Sequence, residues 1–296
     1  MIQLYPWFLI IMNGITEGKI MEDKIEKIGR STIQHGKSNN RIYLLKLNPA
    51  DSQMIVPELD NLAKKEGYTK IVTKIHTEAL PHFISAGYIM EAYIPRFYNG
   101  NTDCVLASRF LDKKREQSPK GQLQPFFKLF DSVNGSNHLN GLEDYQIRKL
   151  NELDAVAVTE VFKQVFETYP FPVHKPEYIL KTMQSKSALY YGVWDGDRLI
   201  GVSTAETDFE NKNAEMTDFA VLPEYRGKQL ASHLLALMES DVKAAGIKTA
   251  YTIARLSQPG MNKTFMKAAY NYSGTLVNNT NIGGSIESMN IFYKHL

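Results

Sequence analysis

The chain has 296 residues, 43% of them hydrophobic, which suits about two domains with sizeable cores. Its 34 Lys and Arg against 32 Asp and Glu leave a net charge of +2, which gives no electrostatic case for nucleic acid as a partner. One cysteine, Cys104, rules out an internal disulfide and a Cys-based metal framework, and fits a reducing, cytoplasmic compartment.

Leu4 to Met12 is apolar, but Pro6 interrupts it, no basic region precedes it, and it falls far short of the ~20 residues that span a bilayer. No membrane attachment is expected. A polar segment, Met21-Glu22-Asp23-Lys24-Ile25-Glu26, starts at an internal methionine, so residues 1–20 read as a non-native or disordered extension. Residues 21–143 read as an N-terminal α/β domain with a linker, because Lys113 to Gln122 and Asn134 to His138 are polar and rich in breakers. Residues 144–296 read as a second domain. Tyr145 to Leu150 alternates as a strand, and Asp154 to Phe166 is a helix with Val158, Val161, Phe162 and Val165 on one side. Tyr190 to Trp194 and Leu199 to Ala205 flank Asp195-Gly196-Asp197 as a hairpin. Glu215 to Val221, Ala250 to Ala254, Gly274 to Asn279 and Ser288 to Tyr293 supply further strands.

The two halves echo each other. Gly67-Tyr68-Thr69-Lys70-Ile71-Val72-Thr73 parallels Gly246-Ile247-Lys248-Thr249-Ala250-Tyr251-Thr252, and Phe83 to Tyr88 parallels Phe265 to Tyr270. A partial internal duplicate and a coincidence between α/β segments both account for this.

Between Val221 and Leu230 the sequence runs from an apolar strand, closed by Pro223, through a basic turn into an amphipathic helix carrying Leu230, Leu234, Leu235, Met238 and Val242. The first N–H groups of such a helix lack partners and, with the positive end of its dipole, attract an anion. Arg226 and Lys228 add cationic donors there, and Gly227 lets the backbone approach closely.

These residues resemble the pyrophosphate loop of the GNAT acetyltransferase superfamily, [QR]-x-x-G-x-[GA]. Arg226 and Ala231 match its ends, while Gln229 replaces the usual middle glycine. The resemblance implies an α/β GNAT fold, with a mixed, mostly antiparallel sheet flanked by helices, and acetyl-CoA as co-substrate. The cofactor contacts it implies are Phe219, Ala220 and Val221 on the strand, Arg226, Gly227, Lys228, Gln229, Leu230, Ala231 and Ser232 in the loop and helix start, and Asn262 and Phe265 on the following helix. Many members place a tyrosine general acid where this chain has Phe265. Either Tyr270 or Tyr272 substitutes, or the thiolate departs unprotonated, which a thiol pKa near about 8.5 tolerates.

Longer strings are similar to the β-lysine N6-acetyltransferases: Ser31-Thr32-Ile33-Gln34-His35-Gly36, Asn40 to Leu47, Tyr169-Pro170-Phe171-Pro172 and Asn278 to Ile282. That similarity implies a small-molecule amine partner, β-lysine, whose N6-acetyl product serves as a compatible solute. A homodimer is compatible with the sequence. Acetylation of protein or peptide amines and a non-catalytic acetyl-CoA-binding regulator stay open as alternatives.

An alkyl ammonium, with a pKa of about 10.4, must lose a proton before it attacks a thioester. Glu215, Glu206 and Asp218 are the candidate acceptors, with Glu206 also a substrate contact. In a regular strand Glu215 and Asp218 face opposite sides, so only one reaches the cleft unless a bulge intervenes. Main-chain N–H groups of residues 219–221 are candidate donors to the developing oxyanion. Tyr169 and Phe171 form a rigid aromatic loop suited to pressing on an aliphatic substrate. The seven histidines show no metal-ligand spacing, and no metal is expected.

Overall fold

The computed structural model describes residues 23–117, 120–133, 139, 141–142, 144–167, 169 and 171–296. The expected extension (1–20), the polar run 134–138 and Pro170 lie outside the described residues. The first half runs β1 (Lys24–Ile28), β2 (Ser31–Gly36), β3 (Arg41–Lys46), α1 (Ile55–Glu66), β4 (Lys70–His76), α2 (Leu80–Ser85), β5 (Ile89–Tyr98) and β6 (Thr102–Phe110). Two helices follow, α3 (Lys113–Glu116) and α4 (Lys120–Ser132). The second half runs β7 (Gln146–Lys149), α5 (Ala155–Val165), α6 (Pro176–Gln184), β8 (Ala188–Asp195), β9 (Arg198–Asp208), β10 (Asn213–Val221), α7 (Leu230–Ala244), β11 (Thr249–Arg255), α8 (Pro259–Lys267), β12 (Asn271–Ile282) and β13 (Ser285–His295). Its element order is that of the GNAT fold.

All strands join one sheet in the order β1-β2-β3-β4-β6-β5-β12-β13-β11-β10-β9-β8-β7. Read inward from β1 at one edge and from β8, next to the edge strand β7, at the other, β1-β2-β3-β4-β6-β5 and β8-β9-β10-β11-β13-β12 follow one plan, and in each the third and fourth strands pair in parallel. The sequence echo is therefore a repeat of topology. It extends to matched turns: Tyr88 N donates to Phe83 O and Gly87 N to Ile84 O, while Tyr270 N donates to Phe265 O and Ala269 N to Met266 O. Both third residues adopt left-handed backbone, Gly87 at φ 83° and Ala269 at φ 62°.

The halves meet where β5 and β12 touch at Ala92 and Gly274. Gly274 has φ 152°, and a Cβ there would collide with the Glu91 carbonyl oxygen, so only glycine lets the strands cross this closely. A polar seam closes around the crossing. Lys70 and Glu91 form a buried ion pair at 2.7 Å, and Glu91 also accepts from Val277 N at 2.7 Å. Arg41 donates to Asn279 O, Arg115 to Asn278 O and Asn39 O, and Asn281 N donates to Asn39 Oδ1. Here the strings Asn40 to Leu47 and Asn278 to Ile282 acquire a physical reason: they buckle the halves together.

The sheet also bends so that one face of the first half packs on the second. Tyr43, Val72, Phe97, Cys104 and Leu106 share a buried cluster with Tyr251, Leu276 and Ile291. Thr249 Oγ1 donates to Arg96 O at 2.9 Å, and Asn99 N to Asn211 O at 2.6 Å. The other faces carry separate cores, one under α1 and α2 and one among α5, α7, α8 and β8–β11. The stretch read as a linker contains α4, because Leu123, Phe126, Phe127 and Phe130 recur at helical spacing and Phe126 buries against Tyr272 and Phe292. Among the described residues no helix is long and apolar enough to cross a membrane.

Candidate functional site

Parallel pairing of β10 with β11 runs only from Asn213↔Thr249 to Glu215↔Tyr251. Beyond Glu215 the strands separate, while β10 continues along β9 through Ala220↔Val202 and Val221↔Gly201. Main-chain groups of residues 219–221 that do not bond β9 thus face an open edge. Phe219 stands beside this edge, its ring packed edge-on against Phe265 with centroids 5.7 Å apart.

Three carboxylates gather where the strands part. Glu206 and Glu215 are direct cross-strand partners, so their side chains share a face. The register of β10 slips between Thr217 and Ala220, and Asp218 takes φ 53°. This bulge resolves the parity question: Asp218 turns to the same face, where its Oδ2 accepts from Thr204 Oγ1 at 2.7 Å and its Oδ1 from the Tyr169 hydroxyl. Tyr169 stacks on Phe166 and lies near Phe171, as the loop between α5 and α6 folds its rings over the acids.

Burial raises all three acids. It pushes Glu215 up to about 7; the Lys74 ammonium and a hydrogen bond from Tyr251 pull it down, and Asp218 adds to the rise. Glu206 lies well above the usual carboxylate range through burial, then through repulsion from Glu215 and Asp218. Asp218 is raised by burial and restrained by its bonds from Thr204 and Tyr169. The Glu206 side chain is solvent-accessible, and Glu215 and Asp218 are partly so.

Sequence reasoning missed the other side of the site, which the first half supplies. Lys74 on β4 donates to the Tyr251 hydroxyl at 3.3 Å and lies over the Phe97 and Tyr251 rings. Tyr43 on β3 feels both Lys74 and Glu215. Lys74 does not stand out in a strand that also carries Lys70, Thr73 and His76, and only the bend of the sheet brings it to β11.

At the turn into α7, among the described residues, the N–H groups of Gly227, Lys228, Gln229, Leu230 and Ala231 have no acceptor in the protein. Arg226, Gly227, Lys228 and Gln229 are exposed, and Arg226 bonds only the Val221 carbonyl. Lys228 donates to the Tyr145 hydroxyl at 2.6 Å. Gln229 takes φ 59°, which explains the family's preference for glycine there. Free donors, cationic side chains and a helix N-terminus fit a diphosphate. Leu230 and Ser232 are buried in the first turn and hold the loop on the core.

Asn262 has a different task from the expected cofactor contact. It is fully buried, its amide hydrogens go to Arg255 O and Gln258 O, and its Oδ1 accepts from Asn290. Both donors are spent on fixing the end of β11 to α8. Phe265 is buried among Phe219, Tyr270 and Phe292. The Tyr270 ring lies under Lys294, and the Tyr272 hydroxyl bonds Thr275, so neither joins the acid cluster. Among the described residues no group of three His, Cys, Asp or Glu could hold a metal ion. A cavity of about 350 Å³ at the seam, lined by Asn40, Thr69, Lys114, Arg115 and Asn278, contains none of the expected site residues.

The Acetyltransferase (GNAT) family model matches residues 157–269. The chain is 37% identical over 273 residues to the β-lysine N(6)-acetyltransferase of Methanococcus maripaludis, covering 92% of this chain and 98% of that protein. It is 32% identical to the enzyme of the same name from Methanosarcina mazei, over 82% of this chain and 97% of that one. It is 31% identical to the N-acetyltransferase YodP of Bacillus subtilis, over 90% and 96%. With these relatives, and the splayed strands and open anion loop behind them, the chain is an N-acetyltransferase belonging to the β-lysine N6-acetyltransferase family of the GNAT superfamily.

Proposed function

We propose that this enzyme transfers the acetyl group of acetyl-CoA to the N6 amine of β-lysine by direct attack in a ternary complex. The observation that carries the reading is the convergence of Glu206, Glu215 and Asp218 where β10 leaves β11, with Glu215 brought to about 7. A base poised near ambient pH can take a proton from an ammonium bound beside it.

The residues divide the work. Arg226, Lys228 and the free N–H groups from Gly227 to Ala231 bind the diphosphate. The open edge of β10 aligns the acyl carrier and offers an N–H to the developing oxyanion. Acetyl-CoA supplies the thioester, whose C–S bond breaks as the N6–C bond forms. Glu215 accepts the proton from nitrogen and passes it to solvent. The thiolate is itself a fair leaving group, so Phe265 in place of a tyrosine is tolerable. Cys104 offers no route to an acyl-enzyme, because burial pushes its thiol up to about 12. The first half walls the cleft with Tyr43 and Lys74, which favours a small substrate over a protein.

Free-thiol release tests this in a panel of β-lysine, α-lysine, diamines and peptides incubated with acetyl-CoA. Turnover with β-lysine and none with peptides is expected. Binding of acetyl-CoA without turnover on any amine, or equal turnover on peptides, overturns it.

A further inference from the structure

We infer that Lys74 receives the carboxylate of the amino-acid substrate, making the N-terminal half the part of the enzyme that separates amino-acid diamines from plain diamines. The inference rests on the function proposed above and deepens it.

Lys74 is half-buried, with little to hold it. Its only hydrogen bond among the described residues is the 3.3 Å contact with the Tyr251 hydroxyl, and no carboxylate there lies within ion-pairing distance. Two rings, Phe97 and Tyr251, flank the ammonium with centroids 5.9 and 5.5 Å away. An ammonium carries three donors, so most of its capacity points to no protein group. Its partner is not structural: the nearby seam lysine, Lys70, is tied to Glu91 and the Val277 carbonyl, as a buried cation normally is.

Charge decides what fits. A site built for a plain diamine would need only acids, and a cation in it would repel the ligand. Here acids that can hold an amine stand opposite one ammonium, which suits a molecule that carries a carboxylate as well as amines. Lys74 bonds the Tyr251 hydroxyl, and Tyr251 is the register partner of Glu215, so the cation stands close enough to the proposed base to pull its pKa down. A short alkyl chain spans such a gap, putting an anionic end on β4 and a cationic end on β10. The strand bearing Lys74 comes from the half without a phosphate loop, which gives that half a recognition task.

The test compares kcat/KM for β-lysine, its carboxamide 3,6-diaminohexanamide and 1,4-diaminopentane in wild type, Lys74→Met and Lys74→Arg. A charged hydrogen bond lost at a desolvated site corresponds to roughly 10- to 100-fold. Wild type should prefer β-lysine to the carboxamide by that factor. Lys74→Met should cut the preference to near unity, chiefly through KM, and Lys74→Arg should restore part of it. A preference unchanged in Lys74→Met, or absent in wild type that still acetylates β-lysine, overturns the role of Lys74 alone. Wild type that acetylates none of the three overturns the proposed function itself. Should Lys74→Met not fold, the wild-type comparison with the carboxamide decides.

Discussion

The Tyr251 hydroxyl accepts from the Lys74 ammonium at 3.3 Å, and Tyr251 is the register partner of Glu215 across β10 and β11, where its hydroxyl and the Lys74 ammonium both pull the carboxyl pKa down. A residue of β11 thus links a cation of one half to a carboxylate on β10. Both contacts favour the Glu215 anion. Tyr251→Phe removes one of them and keeps the ring packed on Phe97, 5.0 Å away between centroids. The Glu215 pKa should then rise further, and the acidic limb of log kcat/KM should move to higher pH. An unmoved limb would show that Glu215 is not the group titrating in the rate.

Glu215 itself makes a paired prediction on rate and stability. Glu215→Gln should lower kcat by on the order of 10²- to 10⁴-fold, the usual worth of a positioned base. Burial raises the Glu215 pKa from 4.5 to about 7, so between those values the folded chain holds a proton that the unfolded chain has released. Wild-type stability contributed by this group therefore falls as pH rises through that window and levels off above it. Glu215→Gln cancels the loss. Its thermal midpoint should exceed that of wild type at about pH 8, and the two should converge at about pH 4. Equal midpoints at both pH values would be incompatible with a buried, raised carboxyl.

At the turn into α7, Arg226 is exposed and its guanidinium spends one N–H on the Val221 carbonyl. Arg226→Ala should weaken acetyl-CoA binding by about 10-fold, less than a buried charged bond would give, because solvent and salt screen the site. Calorimetry at low and high salt checks it: the gap between variant and wild type should narrow as salt rises. A gap independent of salt would point to a change of loop shape rather than lost charge.

The legible part of this protein was the part written locally. Strand, turn and helix around Arg226 lie within one stretch of chain, and alternation along β7 to β10 placed the acids on adjoining strands. The bulge at Asp218 was not legible, since no Gly or Pro marks it and an aspartate at φ 53° is held by Thr204 and Tyr169 from other elements. Lys74 was hidden for a related reason. Its partner Tyr251 is 177 residues away, and only the bend that buries Tyr43, Phe97 and Cys104 against β11 brings them together. Asn262 stood among the expected cofactor contacts because a buried asparagine and a ligand-binding one share a sequence signature.

The repeated topology permits a test that compares the halves with each other. After α2 and after α8 the chain turns with the same hydrogen bonds, and the third residue of each turn needs left-handed backbone. The first half has glycine there, Gly87 at φ 83°, with no atom within 4 Å of where a Cβ would sit. The second half has Ala269 at φ 62°, exposed, so its methyl buries nothing. Backbone strain then decides both substitutions, and they should have opposite signs. Ala269→Gly should stabilise by up to about 1 kcal/mol, the left-handed penalty less the extra freedom glycine brings to the unfolded chain. Gly87→Ala should destabilise by a similar amount. Denaturant midpoints at constant m-value measure both. If the two shift in the same direction, the turns are not equivalent and the repeat stops at the order of the strands.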